Sequence, residues 1–222
     1  MRHETDLLIF DWDGTLFDSI DWIVQCLQEA AQKTGLREPT QREARSVIGL
    51  SLKAALDTLY PGEDDATAHR LVSHYRDIYH TRPLSSLGLY EGVPALLESL
   101  RSEGYQLAVA TGKARSGLDA ALESTGIGHL FDATRCADET ASKPDPLMVY
   151  EILDELQVTK SRAIVIGDSL HDLRMADRAG VRAIAVSQGA NDPAELMALS
   201  PVFCVEAIHE LGHYLLANRT HF

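Results

Sequence analysis

"LLIFDWDGTLFDS", Leu7 to Ser19, is the stretch whose reading decides the fold. Leu7–Phe10 is an unbroken apolar run, too short for a helix and followed by a glycine-containing turn, the pattern of a fully buried strand. From Ile20 the period changes. Ile20, Ile23, Val24, Leu27 and Ala31 share one face of a helix that Gly35 stops. Between strand and helix stand Asp11-Trp12-Asp13-Gly14-Thr15. Two carboxylates one residue apart at the end of a buried strand repel each other, and each is costly to bury unpaired. The chemistry of the chain is therefore expected at this strand end.

Working outward, the stretch from Phe17 to Ser85 reads as helical throughout. Thr40 and Glu43 have capping-box spacing. Ser51–Tyr60 is a helix ended by Pro61-Gly62, and Ala66–His80 is another. The pattern then alternates. Helices are expected at Val93–Glu103, Arg115–Ser124, Leu147–Leu156 and Leu170–Ala179, the last stopped by Gly180. Strands are expected at Gln106–Ala110, Ala163–Ile166 and Arg182–Val186, with an edge strand at Val202–Val205. Strands separated by helices of this length make parallel βαβ units. The expected fold is α/β, an open, mainly parallel Rossmann-like sheet flanked by helices. Its core is discontinuous, 1–16 and 86–222, with an all-helical domain inserted at 17–85.

The chain has 222 residues and a formal net charge of −13. That charge argues against nucleic acid and anionic membranes as partners, because both are bound through clustered Lys and Arg. No apolar run approaches the roughly 18–20 residues that span a bilayer. Met1-Arg2-His3-Glu4 has no apolar leader region, so no signal peptide is read. Cys26, Cys136 and Cys204 are far apart, with no CxxC, as expected for reduced thiols in a cytoplasmic protein. The expected partner is a small molecule, and the expected assembly a monomer or homodimer.

Ligands of open parallel sheets bind outside the carboxyl ends of the strands. The residues just past the strands are Asp11–Thr15, Thr111-Gly112-Lys113 and Gly167–Asp172, and Ser142-Lys143-Pro144-Asp145 opens the helix ahead of the strand at 163–166. Alternation places Asp11 and Asp13 on one side of the chain and Trp12 on the other. With Asp168 nearby, three carboxylates share a small space, and a hard divalent cation, Mg²⁺, suits such oxygen ligands. Thr111, the Gly112 amide and Lys143 are donors suited to phosphate oxygens. Singly, each residue has a plain structural role as turn, cap or surface lysine. The ordered set is hard to explain that way.

In this order these residues resemble the haloacid dehalogenase-like superfamily. "DWDGT" matches its first motif, D-x-D-G-[TV]; Thr111 matches the second, Lys143 in "SKPDP" the third, and "GDSLHD" the fourth. The helical insert resembles the C1 cap of subfamily I, and "TGKARSGL" and "CADETASKPDP" resemble the phosphoglycolate-phosphatase-like branch. The resemblance implies a Mg²⁺-dependent phosphomonoesterase acting on a small phosphorylated metabolite, 2-phosphoglycolate first. Asp11 would be the nucleophile that forms an aspartyl-phosphate, and Asp13 the general acid and then base. Mg²⁺ would be held by Asp11, the Asp13 backbone carbonyl and Asp168. Thr111, Gly112 and Lys143 would bind the phosphoryl oxygens, and Asp172 would hold a water of the metal or orient Lys143. Thr15 would support the loop, and Lys113 and Arg115 would add positive field. The cap would close over the site and choose the substrate. Arg45 and Lys53, flanking Gly49, are candidate contacts for a second anionic group, and equally readable as surface charges.

Other readings remain open. A phosphosugar mutase of the beta-phosphoglucomutase kind would use the same core residues. A phosphonoacetaldehyde hydrolase would need a Schiff-base lysine in the cap. "EARSVIGLSLK" faintly matches that segment, but Lys53 is one place too far from Gly49 and residue 13 is Asp rather than Ala. A receiver module also phosphorylates an aspartate, but the position of the acids and the helical insert argue against it. "HELGH", His209 to His213, is a literal zinc-peptidase H-E-x-x-H. It lacks a downstream glutamate ligand, His221 is not at the spacing of a third histidine, and a C-terminal surface helix is the favoured reading.

Overall fold

The computed structural model describes residues 5–82, 85 and 88–217. The chain enters through β1 (Leu7–Phe10) and leaves the sheet for four helices, α1 (Ile20–Thr34), α2 (Gln41–Ser46), α3 (Leu52–Leu59) and α4 (Asp65–Tyr79). It returns through α5 (Val93–Ser102) and β2 (Gln106–Thr111), then α6 (Arg115–Thr125), β3 (Ala133–Cys136), α7 (Leu147–Glu155), β4 (Ala163–Gly167) and α8 (Leu170–Ala179). It ends with β5 (Arg182–Val186), α9 (Pro193–Met197), β6 (Cys204–Val205) and α10 (Leu211–Ala217).

The strands form one parallel sheet in the order β3-β2-β1-β4-β5-β6. β1 is central, with Leu8 beside Leu107 of β2 on one edge and Ile164 of β4 on the other. The order reverses between β1 and β4, and the crevice outside their carboxyl ends is where an open α/β sheet takes a ligand. Alternation divides the core. Leu8, Phe10 and Trp12 pack with α5 and α6, whereas Leu7 and Ile9 pack with α7 and α8. Both faces are covered, so the central strands β1 and β4 read as apolar runs.

Two expectations change. β3, which completes the sheet beside β2, is not among the strands expected from the sequence. It is only ATRC, with two half-buried polar residues between buried ends, and carries neither an apolar run nor clean alternation. The edge strand expected at Val202–Val205 narrows to Cys204–Val205 as a strand, although its approach also bonds to β5, Val202 N–H donating to Ala183 O (2.8 Å) and Ala185 N–H to Phe203 O (3.0 Å).

The insert packs around an apolar cluster of its own that includes Val24, Leu27, Ala30, Leu56, Leu71 and Ile78, joined by Ala190 from the loop after β5. Local signals shape it as expected. Gly35 takes the left-handed conformation that ends α1, and Thr40 and Glu43 close a reciprocal capping box at α2. The two connections to the sheet run side by side, Asp18 N–H donating to Gly88 O (2.8 Å) and Tyr90 N–H to Leu16 O (3.0 Å). The expected division at 85/86 falls beside Ser86 and Leu87, which lie outside the described residues, as do His221 and the Met1–Glu4 segment.

Phe10 is fully buried at the centre of the larger core. Phe10→Ala is expected to cost about 3–5 kcal/mol. In urea titrations this lowers the midpoint and leaves the slope unchanged. An unshifted midpoint would mean that this core does not carry the fold.

Candidate active site

The end of β1 is built by backbone. Asp11 N–H continues the ladder to Ile166 O (2.9 Å), and the Trp12 carbonyl gathers the amides of Thr15, Leu16 and Phe17. Gly14, at φ 82°, turns the chain, and a Cβ there would run into the Asp168 carboxylate. The short loop thus presses its backbone against the acid that ends β4. Trp12 points away from Asp11 and Asp13, buried and stacked on Phe17 at 6.1 Å.

Lys143 joins the first strand end to the fourth. It is 1 % exposed, and its ammonium donates to Asp11 Oδ1 (2.7 Å) and Asp172 Oδ1 (2.6 Å). Asp172 Oδ2 accepts from the Ser169 amide (3.1 Å) and hydroxyl (2.6 Å), which also caps α8. Asp168 accepts from Thr15 Oγ1 (2.6 Å) and the Ala190 amide (2.7 Å), so Thr15 supports the loop as expected. Asp11 Oδ1 takes a further bond from the Trp12 amide (2.7 Å), but Asp11 Oδ2 is buried without a hydrogen-bond partner.

Asp13 belongs to a separate pair. Its carboxylate accepts from Ser19 Oγ (2.7 Å) and from Lys113 Nζ at 3.1 and 3.0 Å. Adjacent carboxylates are thus answered by different lysines. If all are ionised, Asp11, Asp13, Asp168 and Asp172 still outnumber Lys113 and Lys143 by two charges. The excess shows in the acids. Burial, then the Asp172 charge, holds Asp11 well above the carboxylate range despite Lys143. Burial and Asp172 push Asp168 up to about 7 against the hydrogen bonds from Thr15 and Ala190. Burial alone would lower Lys143, yet Asp11 and Asp172 raise it overall.

These residues fit a hard divalent cation. Oxygens of Asp11, Asp168 and Asp172 lie within 4.8 Å of one another. All are hard donors, one is an orphan, and a doubly charged ion would match the excess. The side-chain group therefore includes Asp172, expected to act through a water or on Lys143, and omits the Asp13 carboxylate.

Thr111 ends β2, one strand over from Asp11, fully buried, its hydroxyl accepting from the Lys113 amide (3.2 Å). The helical insert seats on the next residue. A Cβ on Gly112 would collide with the backbone carbonyls of Gly49 and Leu50. Around that contact the Ser51 amide donates to Ser142 Oγ (2.8 Å) and His171 Nε2 to Ser46 O (2.9 Å).

The two candidates in the insert are engaged by the protein itself, Lys53 in the surface-charge reading that the sequence left open. Arg45 donates to the carbonyls of Gly189 (2.7 Å) and Ala190 (3.4 Å) and pairs with Asp21 (3.1 Å). It holds insert to core. Lys53 is 84 % exposed and pairs with Asp57 one turn on, a solvated helix pair, which also removes it as a buried Schiff-base lysine. Arg115 is spent on Glu139 and Asp119. Lys113, expected only to add field, is the residue that sequence reasoning undervalued. Its signal was position, directly after Thr111-Gly112 at a strand end.

Among the described residues "HELGH" gathers no metal-binding group. His209 and Glu210 belong to a 3-10 turn, Ile208–Glu210, and His213 to α10, so the two histidines do not stand one turn apart on one helix. Among the described residues the acidic triad is the only group of three or more His, Cys, Asp or Glu side chains close enough to hold a metal. Ile208, Leu211 and Leu215 are buried in the sheet core. No described helix is long and apolar enough to cross a membrane.

The sequence profile of the haloacid dehalogenase-like hydrolases matches residues 8–186. The chain is 34% identical to the probable phosphatase IndB of Dickeya dadantii over 95% of this chain and 94% of that one. It is 32% identical to a 5'-nucleotidase of Pseudomonas aeruginosa, covering 90% of each. It is 31% identical to a phosphoglycolate phosphatase of Aliivibrio fischeri over 98% and 97%.

In cation-free protein, folded Asp168 keeps its proton between the ordinary carboxylate pKa, 3.8, and about 7, where the unfolded chain has lost it. Stability in EDTA should therefore fall as pH rises through that window. Mg²⁺ should stabilise more at pH ~8 than at pH ~5, because ionised ligands bind it. Urea unfolding at both values checks this, and an equal Mg²⁺ effect would overturn the assignment of the triad.

Proposed function

The chain belongs to the haloacid dehalogenase-like hydrolase family and is a phosphatase of that family, and from that premise we propose that it hydrolyses a small phosphate monoester, with Mg²⁺, through an aspartyl-phosphate on Asp11. The observation that carries this reading is the unequal treatment of the two acids of "DWDGT". Asp11 is tied by one oxygen to Trp12 and Lys143, with the other left unpartnered, while Asp13 is held apart by Ser19 and Lys113.

Asp11 attacks phosphorus as the bond to the leaving oxygen breaks. Asp13 gives that oxygen its proton, then takes one from the water that hydrolyses the acyl-phosphate. Lys143, held beside Asp11, meets the phosphoryl oxygens together with Thr111 and the Gly112 amide. Asp11, Asp168 and Asp172, with the Asp13 carbonyl, would hold Mg²⁺. The ion supplies charge neutralisation between the Asp11 carboxylate and the phosphate dianion. The insert acts as a cap domain, 17–85, on a core of 1–16 and 86–222. With Gly49 and Leu50 against Gly112, it keeps bulk water from the first step.

Phosphoglycolate is the first substrate candidate, from the relative of that name. The closeness of the insert to Gly112 favours a compact ester over a nucleotide. Comparing kcat/KM for 2-phosphoglycolate, nucleoside monophosphates, hexose phosphates and pyrophosphate tests this, and a nucleotide preferred by tenfold or more would overturn it.

Asp11→Asn is expected to abolish turnover, and Asp13→Asn to lower it roughly 10²–10⁴-fold. Near-normal activity in Asp11→Asn would sink the mechanism. EDTA should remove activity and Mg²⁺ restore it, and full turnover after exhaustive chelation would exclude a cation from the reaction.

A further inference from the structure

Lys113 has no role in the reaction as described so far, yet its side chain is only 10 % exposed and its ammonium has three acceptors in reach. Two are the oxygens of Asp13, at 3.1 and 3.0 Å, and the third is the Tyr79 hydroxyl, at 2.9 Å. An ammonium has three donors, so one lysine links the acid of the core loop to the insert. Tyr79 is the last residue of α4, at the far end of the insert. It is itself fixed. Its carbonyl accepts from Trp22 Nε1 (3.3 Å), and its ring stacks on that of Tyr75 at 5.8 Å. On the core side the Lys113 amide is tied to Thr111 Oγ1 (3.2 Å), and the Lys113 carbonyl accepts from the Ala137 amide (3.0 Å). Both ends of the connection are anchored in packed structure.

Resting on the reading of Asp13 as acid and base, we propose that Lys113 is a positioning residue for Asp13, and that Tyr79 makes this positioning depend on the insert being seated. Ser19 fixes one carboxylate oxygen from the connection into the insert, and Lys113 fixes the plane of the carboxylate from β2. With the insert lifted, Lys113 loses the Tyr79 hydroxyl and with it one of its three fixed directions. The proton is then delivered to the leaving oxygen in good geometry only when the insert also shields the site from water. The balance is the ordinary one: as the phosphorus–oxygen bond breaks and the Asp11 oxygen bonds to phosphorus, the Asp13 proton passes to the departing alkoxide.

The test uses leaving groups of different need. p-Nitrophenolate departs without a proton, whereas the alkoxide of 2-phosphoglycolate requires one. Steady-state kcat/KM, which reports the steps through aspartyl-phosphate formation, is measured on both with Mg²⁺. Asp13→Asn should lose about tenfold or more in excess on the alkyl ester. Lys113→Met should show the same selective loss, Lys113→Arg should recover part of it, and Tyr79→Phe should show a smaller loss of the same kind, about two- to fivefold, carried by kcat rather than KM. Equal losses on both substrates in Lys113→Met and Tyr79→Phe, with Asp13→Asn still selective, would overturn the inference alone. A rise in KM confined to phosphoglycolate would overturn it in favour of Lys113 as a contact for the substrate carboxylate. An Asp13→Asn variant blind to the leaving group would overturn the acid-base reading, and the inference with it.

Discussion

The Lys143 ammonium, shut away from water between Asp11 and Asp172, is the interaction on which the rest of the site depends. Burying one charge in a protein interior is costly, and leaving it unpaired is costlier. Here one cation answers two acids that arrive from different strand ends. Asp11 follows β1 and Asp172 lies in the first turn of α8, after β4. Lys143 comes from the segment ahead of α7. Its place between the acids ties together three loops at the point where the strand order reverses. Were it missing, Asp11 and Asp168 would be pushed still further toward their neutral forms, because Lys143 is what favours their ionised state.

Even with Lys143 in place the pocket stays too negative, and that residue of unbalanced charge is informative. A fold selected for stability alone gains little from a buried carboxylate with an unpartnered oxygen, as at Asp11. It is intelligible if the partner arrives with the ligand. Asp13 follows a different rule. It has its own lysine and hydroxyl, stands outside the triad, and so can keep a separate chemical task two residues from Asp11. Different environments are what allow neighbouring carboxylates to take different tasks.

The insert is attached to this site through backbone as much as through side chains. Gly112 admits the carbonyls of Gly49 and Leu50, Ser51 donates its amide to Ser142, and Arg45 reaches the carbonyls of Gly189 and Ala190. Contacts of this kind demand correct shape and close approach, and they are broken together when one body moves. They also explain why Arg45 looked like a substrate ligand in sequence. A cation near a glycine on a helix of the insert suits an anion or a set of carbonyls equally, and only the neighbouring chain decides which.

By itself the sequence determined the sheet of βαβ units, the helical insert and the edge where chemistry gathers, because those rest on local periodicity, caps and strand ends. Leu7–Phe10, Ala163–Gly167, the capping box at Thr40 and the stop at Gly35 are each written within a few residues. β3 was illegible because ATRC has no pattern of its own and becomes a strand by pairing with β2. Only the tertiary structure decided which charge answers which. Lys113 meets Asp13 across 100 residues of chain and Tyr79 across 34, while Lys53 turns to Asp57 and the surface. A buried side chain's role is set by the partners that desolvation forces upon it, and those partners are chosen by packing rather than by proximity in sequence.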